Sequence, residues 1–213
     1  MPNVSPSESA AVEQLLREIP QLWRGREHSD TNTCATGFAA LDAALPGGGW
    51  PIGTLIELAP TCAGIGELSL PLPALRALAV AKKPIALVQP PYKPYAPGLR
   101  RAGLPLKQLL WVTESRQEDA HWAAEQLLRD GAGAVLLWTE TTDDRLLRRL
   151  QLAAEAGHAL AFVYRDPARL SHTSPAAVRI ALQPRGSSLR IEIVKVRRGQ
   201  PGAITLDLPW ATA

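Results

Sequence analysis

The sequence predicts an α/β domain in which a mostly parallel sheet is covered by helices and ends in an antiparallel hairpin. Three observations predict it. From Thr54 onward, short apolar runs alternate with segments of helical periodicity, the rhythm of strands joined by helical crossovers. The runs are apolar at nearly every residue, as strands buried on both faces must be. Near the end the pattern becomes a strict alternation. Val178, Ile180 and Leu182 alternate with polar residues, and after a turn at Arg185–Ser188 so do Leu189, Ile191 and Ile193, as in a hairpin with one wet face.

Taken in order, residues 1–8 read as disordered. Val12, Leu15, Leu16 and Ile19 then recur at the spacing of one helix face, followed by Leu22 and Trp23. Ser7 or Ser9 can cap this helix, and Pro20 bends or ends it. The polar stretch from Arg24 to Thr33 reads as a linker, so the chain divides into a helix and linker over 1–32 and a core domain over 33–213. The apolar face of the helix either packs on its own domain or docks on a neighbouring molecule, a second copy included. Strands follow at Thr54–Ala59, Ile85–Gln89, Leu109–Val112, Ala134–Trp138 and Ala159–Tyr164, with helices over 72–82, 118–130 and 143–156 between them. Asp143 and Asp144 suit the N-terminus of the last helix, where the macrodipole favours negative charge. A final strand at Ile204–Leu208 completes an antiparallel edge.

Composition bounds the function. The chain has 213 residues, 46% hydrophobic and 20% charged, with a formal charge of +3, so one packed domain with an appendage is expected rather than a disordered polyion. No run of 18 apolar residues occurs and the polar start carries no basic segment before an apolar one, so the expectation is a cytoplasmic protein with no membrane contact. Cys34 and Cys62 have no cluster of Cys or His around them, which predicts reduced thiols and no metal site. The four histidines are scattered without ligand spacing. Arg outnumbers Lys 18 to 5, and Arg179, Arg185, Arg190, Lys195, Arg197 and Arg198 face one acid, Glu192. That local surplus exceeds the net charge. Arg190, Lys195, Arg197 and Arg198 therefore form either a surface for nucleic-acid phosphates or an acidic partner, or a solvated strand face.

The segment from Thr36 to Leu70 is the most informative. A strand running into a small-residue loop and then a helix is the setting of a phosphate-binding loop. A working loop reads G-x-x-x-x-G-K-[ST]: backbone N–H groups wrap the phosphates, Lys neutralises the β/γ charge and the hydroxyl holds magnesium. Here the eight positions are Ala59, Pro60, Thr61, Cys62, Ala63, Gly64, Ile65 and Gly66. Ile65 stands in place of the lysine and Gly66 in place of the hydroxyl. Pro71 and Pro73 interrupt the helix start, so no phosphate-binding helix N-terminus is expected at Gly66. The strand that could carry a magnesium-binding acid ends in Trp138 and Thr139, with Glu140 two positions late. The expectation is a degenerate loop with no catalytic residue, no ATPase activity and no cofactor.

The residues just before this loop, Thr36-Gly37, Leu41-Asp42, Ala44-Leu45, Gly48-Gly49, Pro51, Gly53 and Glu57, resemble the RecA family. The resemblance extends over roughly residues 33–208 and implies a three-layer RecA-like sandwich. The family's catalytic glutamate falls in Gln89-Pro90-Pro91-Tyr92, where no acid occurs, so the resemblance carries fold and not ATP hydrolysis. Two RecA-related groups have lost the loop chemistry, and the chain resembles both: ImuA, the accessory protein of damage-induced translesion synthesis, and SulA, the damage-induced inhibitor of the division protein FtsZ. The shared stretch includes AGLPLKQLLWV, HWAAEQLLRDG and AVLLWTE. The Leu22–Gly25 tetrad, the string around Thr36 and the long basic hairpin ending in LDLPW match ImuA. That resemblance implies an SOS adaptor whose partners are an ImuB-like protein and an error-prone polymerase, with RecA and DNA as further contacts; the SulA alternative implies FtsZ.

Among the aromatic residues, Trp111 and Trp138 read as core or sheet-edge residues. Trp23, Trp50 and Trp210 read as interface anchors, and Trp122 as either. The turn Gln89–Pro97 carries Tyr92, Lys93 and Tyr95 after a core strand, where α/β proteins place binding surfaces, or where a rigid connector would sit.

Overall fold

A computed structural model describes residues 32–140 and 143–208. The helix expected around Leu15, Leu16 and Trp23, and Trp210, lie outside the described residues. A two-residue pair, β1 (Thr33–Cys34) with β2 (Trp50–Pro51), brackets helix α1 (Ala39–Ala44). The remaining strands are β3 (Thr54–Pro60), β4 (Ile85–Val88), β5 (Leu109–Val112), β6 (Ala134–Trp138), β7 (Leu160–Tyr164), β8 (Val178–Arg185), β9 (Ser188–Val196) and β10 (Gly202–Asp207). They form one eight-stranded sheet in the order β10-β9-β8-β3-β7-β6-β4-β5. β3 to β8 are mutually parallel, and β9 and β10 are antiparallel additions. The fold is thus the mostly parallel α/β sheet with a terminal hairpin that the sequence predicts.

Each face of the sheet has its own core. On one face, α1, α2 (Leu72–Val80) and α3 (Ala96–Arg101) pack Leu41, Leu72, Leu75 and Leu99 against Ile56, Leu58, Leu136 and Phe162. On the other, α4 (Gln117–Arg129) and α5 (Asp144–Gly157) cover Leu55, Val88, Val135, Leu137 and Val163. α5 forms because Leu146, Leu147, Leu150, Ala153 and Ala154 fall on one stripe. It begins where the Asp143 carboxylate accepts the Arg145 N–H at 2.8 Å, and it stops at His158 in the left-handed region.

The structure adds three elements that the apolar pattern does not reveal: α1, α3 and the β1–β2 pair. α3 starts inside a proline-rich segment that reads as a turn, with Pro97 at the second helical position, where its missing N–H costs nothing. Two expectations are corrected. β5 is not buried on both faces: it is the sheet edge, and Leu110 and Trp111 are 43% and 51% exposed. Trp50 is not an interface anchor. It is fully buried and meets Phe162 edge-to-face, with ring centroids 5.3 Å apart.

Candidate functional site

The carboxyl ends of the parallel strands are where open α/β sheets place ligands. Here they surround a crevice of about 690 Å³ lined by Thr61, Cys62, Ala63, Gln89, Thr139, Glu140 and Asp166 among others. The degenerate loop forms one wall. It leaves β3 at Pro60, is held to β8 by the Thr61 N–H donating to Leu182 O at 3.0 Å, and exposes Thr61, Cys62 and Ala63. Gly64 and Gly66 have positive φ, and no α-helix starts there. A 3-10 turn, Glu67–Ser69, precedes α2, which begins only at Leu72, behind Pro71.

Glu67 fills the cradle from within. Its buried carboxylate accepts the Gly64 N–H at 3.1 Å on each oxygen. This N–H belongs to the glycine before the position a phosphate-binding lysine would hold, so the carboxylate takes up an N–H that a working loop would offer to a phosphate. Leu208 closes the loop from the other side. A methyl group at Gly66 would lie 2.5 Å from Leu208 Cδ1, a side-chain end that could turn aside, but Gly66 has φ of 91°, a conformation that favours glycine. Below them Trp138 stacks on Tyr164 with centroids 4.4 Å apart, and the Tyr164 hydroxyl donates to Glu67 O at 3.3 Å. Burial, with Glu67 beside it, pushes the Tyr164 hydroxyl well above its usual range.

The positions where a nucleotide enzyme would place acids are otherwise engaged. Gln89 clamps the loop after β5: its Nε2 donates to Glu114 O at 2.7 Å and its Oε1 accepts the Glu114 N–H at 3.1 Å. Thr139 pairs with His121 Nε2 at 2.8 Å. Burial first, then Arg149, holds this imidazole below the usual histidine range despite nearby Glu118 and Asp143. Glu140 is exposed. Among the described residues, no group of three or more Cys, His, Asp or Glu is placed to hold a metal ion. Cys34 and Cys62 are both free thiols.

The residues before the loop are structural. Asp42 Oδ1 accepts the Thr36 N–H at 2.8 Å. Gly37, with φ of 82°, lies so close to Pro73 that a Cβ would approach to 2.4 Å. Leu41 and Leu45 enter the core. Glu57, 1% exposed in the central strand, is bound by Arg165 at 3.2 Å, by Arg179 at 2.7 Å and by the Ser174 hydroxyl. Arg179 spends its other N–H groups on the carbonyls of Arg169, Leu170 and His172.

This arrangement corrects the basic surface expected of the hairpin. Arg179 is buried in an ion pair. Lys195 is half-buried and donates to Ser174 O at 2.7 Å. Burial, then Arg179 and Arg197, holds its ammonium below the usual lysine range, with Glu57 opposing. Arg190 is exposed and paired in register with Gln183 and Thr205, toward the crevice end. Arg197 and Arg198 are exposed in the turn after β9, and roughly 23 Å of strand separates Arg190 from Arg197. The four candidates do not form one patch.

Tyr92 and Tyr95 are 72% and 73% exposed. They flank a second, largely apolar hollow of about 650 Å³, between the loop 90–95, α2 and α3. The charge that sequence reasoning missed lies here. Between Glu67 and Glu114 the chain has seven Lys and Arg and no acid, and three of these cations, Arg76, Lys93 and Arg101, line the hollow, a signal hidden because they are spread along the chain rather than clustered.

Comparison with known proteins agrees with the fold. RecA proteins of Listeria welshimeri, Listeria monocytogenes and Listeria ivanovii are 30% identical to this chain over 159 residues, which is 70% of the chain and 44% of each relative. Over this stretch the chain is similar to RecA. It spans less than half the length of these relatives, and no family model matches it. The sheet order, the loop after β3 and the terminal hairpin are consistent with a RecA-like fold. No helix among the described residues is long and apolar enough to cross a membrane.

Proposed function

We propose that the chain is a RecA-like scaffold that works without nucleotide, as an accessory protein of damage-induced translesion DNA synthesis of the ImuA kind. One observation carries the nucleotide-independent part: the Glu67 carboxylate takes the Gly64 N–H in a loop that has no lysine at Ile65 and no hydroxyl at Gly66. A phosphate entering that loop would meet the Glu67 carboxylate and no lysine, and of the two arginines that line the crevice, Arg165 and Arg169, Arg165 is already paired with Glu57. The residues before the loop, with the Leu22–Gly25 tetrad and the long hairpin, support the ImuA reading, and relatedness to RecA supports a setting in DNA repair.

With no chemistry assigned to the crevice, the protein acts through surfaces. Its partners are an ImuB-like protein and an error-prone polymerase. RecA and DNA are further contacts, and Tyr92 and Tyr95 are the most exposed tyrosine or tryptophan side chains among the described residues. The alternative, a SulA-like division inhibitor, draws on the segment Ala102–Val112, which ends in the exposed Leu110 and Trp111 of β5. A pull-down with the full chain against an ImuB-like protein and FtsZ, side by side, separates the two. Retention of the ImuB-like protein but not FtsZ is expected. Retention of FtsZ, with filamentous cells on overexpression, overturns the adaptor reading.

A further inference from the structure

The hollow beside Tyr95 combines two properties seldom found together on a surface that binds nothing. Its floor is apolar, built from Leu68, Leu72, Leu87 and Leu99, and at about 650 Å³ it is in the size range of ligand clefts. Its rim is cationic, with Arg76, Lys93 and Arg101 among the lining residues. The one acid in the lining, Glu67, is engaged with the N–H of Gly64, which lines the hollow too. Over the whole segment from Leu68 to Thr113 no carboxylate offsets these cations.

We propose that this hollow docks an acidic segment of a partner protein, with one bulky apolar side chain seated on the leucine floor and carboxylates paired to Arg76, Lys93 and Arg101. Charge complementarity selects an acidic partner, since a rim of like charges without acids repels basic segments. The floor selects a peptide over a nucleic acid. A nucleobase carries polar edges that a leucine surface cannot pair, and burying them unpaired is costly; a Leu, Phe or Trp side chain has no such penalty. The site is also stiff. Pro90, Pro91, Pro94 and Pro97 fix the backbone that presents the two tyrosines, and Lys93 Nζ lies 6.0 Å from the centroid of the Trp111 ring, within cation–π range. Little order is then lost on binding. Exposed Tyr and Arg around an apolar pocket are the residue types that dominate protein interfaces.

The inference deepens the adaptor reading and rests on it for there being a protein partner, but its test needs no partner. A fluorescein-labelled peptide of four glutamates followed by Leu-Trp is titrated with the full chain by fluorescence polarisation. Saturable binding is expected. Arg76→Glu with Arg101→Glu should weaken it by about tenfold or more, and Tyr95→Ala by roughly fivefold, while Arg190→Ala leaves it unchanged. All are surface changes, and unaltered thermal melting confirms that the variants fold. The proposal falls if no saturable binding occurs, if the glutamine version binds equally, or if a Ser-Ser ending binds as well as Leu-Trp and oligo(dT) displaces both, which would mark a plain polyanion site. A failed peptide with a successful pull-down removes the docking site alone; a bound peptide with no captured partner removes the adaptor reading alone.

Discussion

Installing a lysine at position 65 should not by itself make the loop bind nucleotide, because Glu67 stands in the way. Its carboxylate lies within hydrogen-bond distance of the Gly64 N–H, 3.1 Å from each oxygen, and the side chain is buried. A phosphate charge brought to about 4 Å from it meets a repulsion of about 4 kcal/mol at an effective dielectric of about 20. That is roughly a thousandfold in affinity per charge pair. In Ile65→Lys the new ammonium would pair with Glu67 rather than await a ligand. The assay is calorimetric titration of ATP with magnesium into Ile65→Lys, Glu67→Gln and the double variant. Neither single change should give measurable affinity, and the double variant should bind more tightly than either. Glu67→Gln keeps an acceptor for Gly64, so its cost to stability should stay near 1 kcal/mol. Micromolar binding by Ile65→Lys alone would refute the reasoning.

Further expectations concern stability. Arg179→Met leaves the buried Glu57 carboxylate short of its closest cation and should cost about 3–5 kcal/mol, lowering the melting temperature by roughly 10 °C; an unchanged melt would mean that Arg165 suffices. Burial raises the Glu125 carboxyl, but the hydrogen bonds and charges of Arg149 and Arg129 outweigh it and leave it below the usual carboxylate range. Its contribution is therefore present above the unfolded-state value near 4.3 and is lost as pH falls through the depressed folded value. Glu125→Gln should flatten that acid limb in urea titrations, and an unchanged limb would count against it. Trp50→Ala should cost about 3–5 kcal/mol by emptying the space against Phe162, whereas a surface anchor would cost little; equilibrium unfolding decides.

The parallel sheet was legible because burial on both faces leaves continuous apolar runs, and the hairpin because one wet face leaves alternation. α1 and α3 were not, being six residues each with one buried leucine apiece, too short to print a helical period. The missing lysine and hydroxyl could be read at Ile65 and Gly66, but the closure of the loop could not: nothing in the string GIGELSL says that Glu67 turns back to Gly64. The hairpin cations misled for a related reason. Spacing along a strand says which residues share a face, and only the register shows that Arg179 lies opposite Glu57 and that Arg190 and Arg197 sit toward opposite ends of the sheet. Conversely, the cations of the second hollow come from the separate elements around α2, the loop 90–95 and α3, so folding alone brings Arg76, Lys93 and Arg101 together.

The Glu67 carboxylate occupies the loop after β3, and on the proposed function that loop takes no nucleotide. Titrating ATP with magnesium into the unaltered full chain, followed by calorimetry, tests it most directly. No binding heat is expected up to millimolar ATP; saturable binding at micromolar ATP would overturn the nucleotide-independent reading.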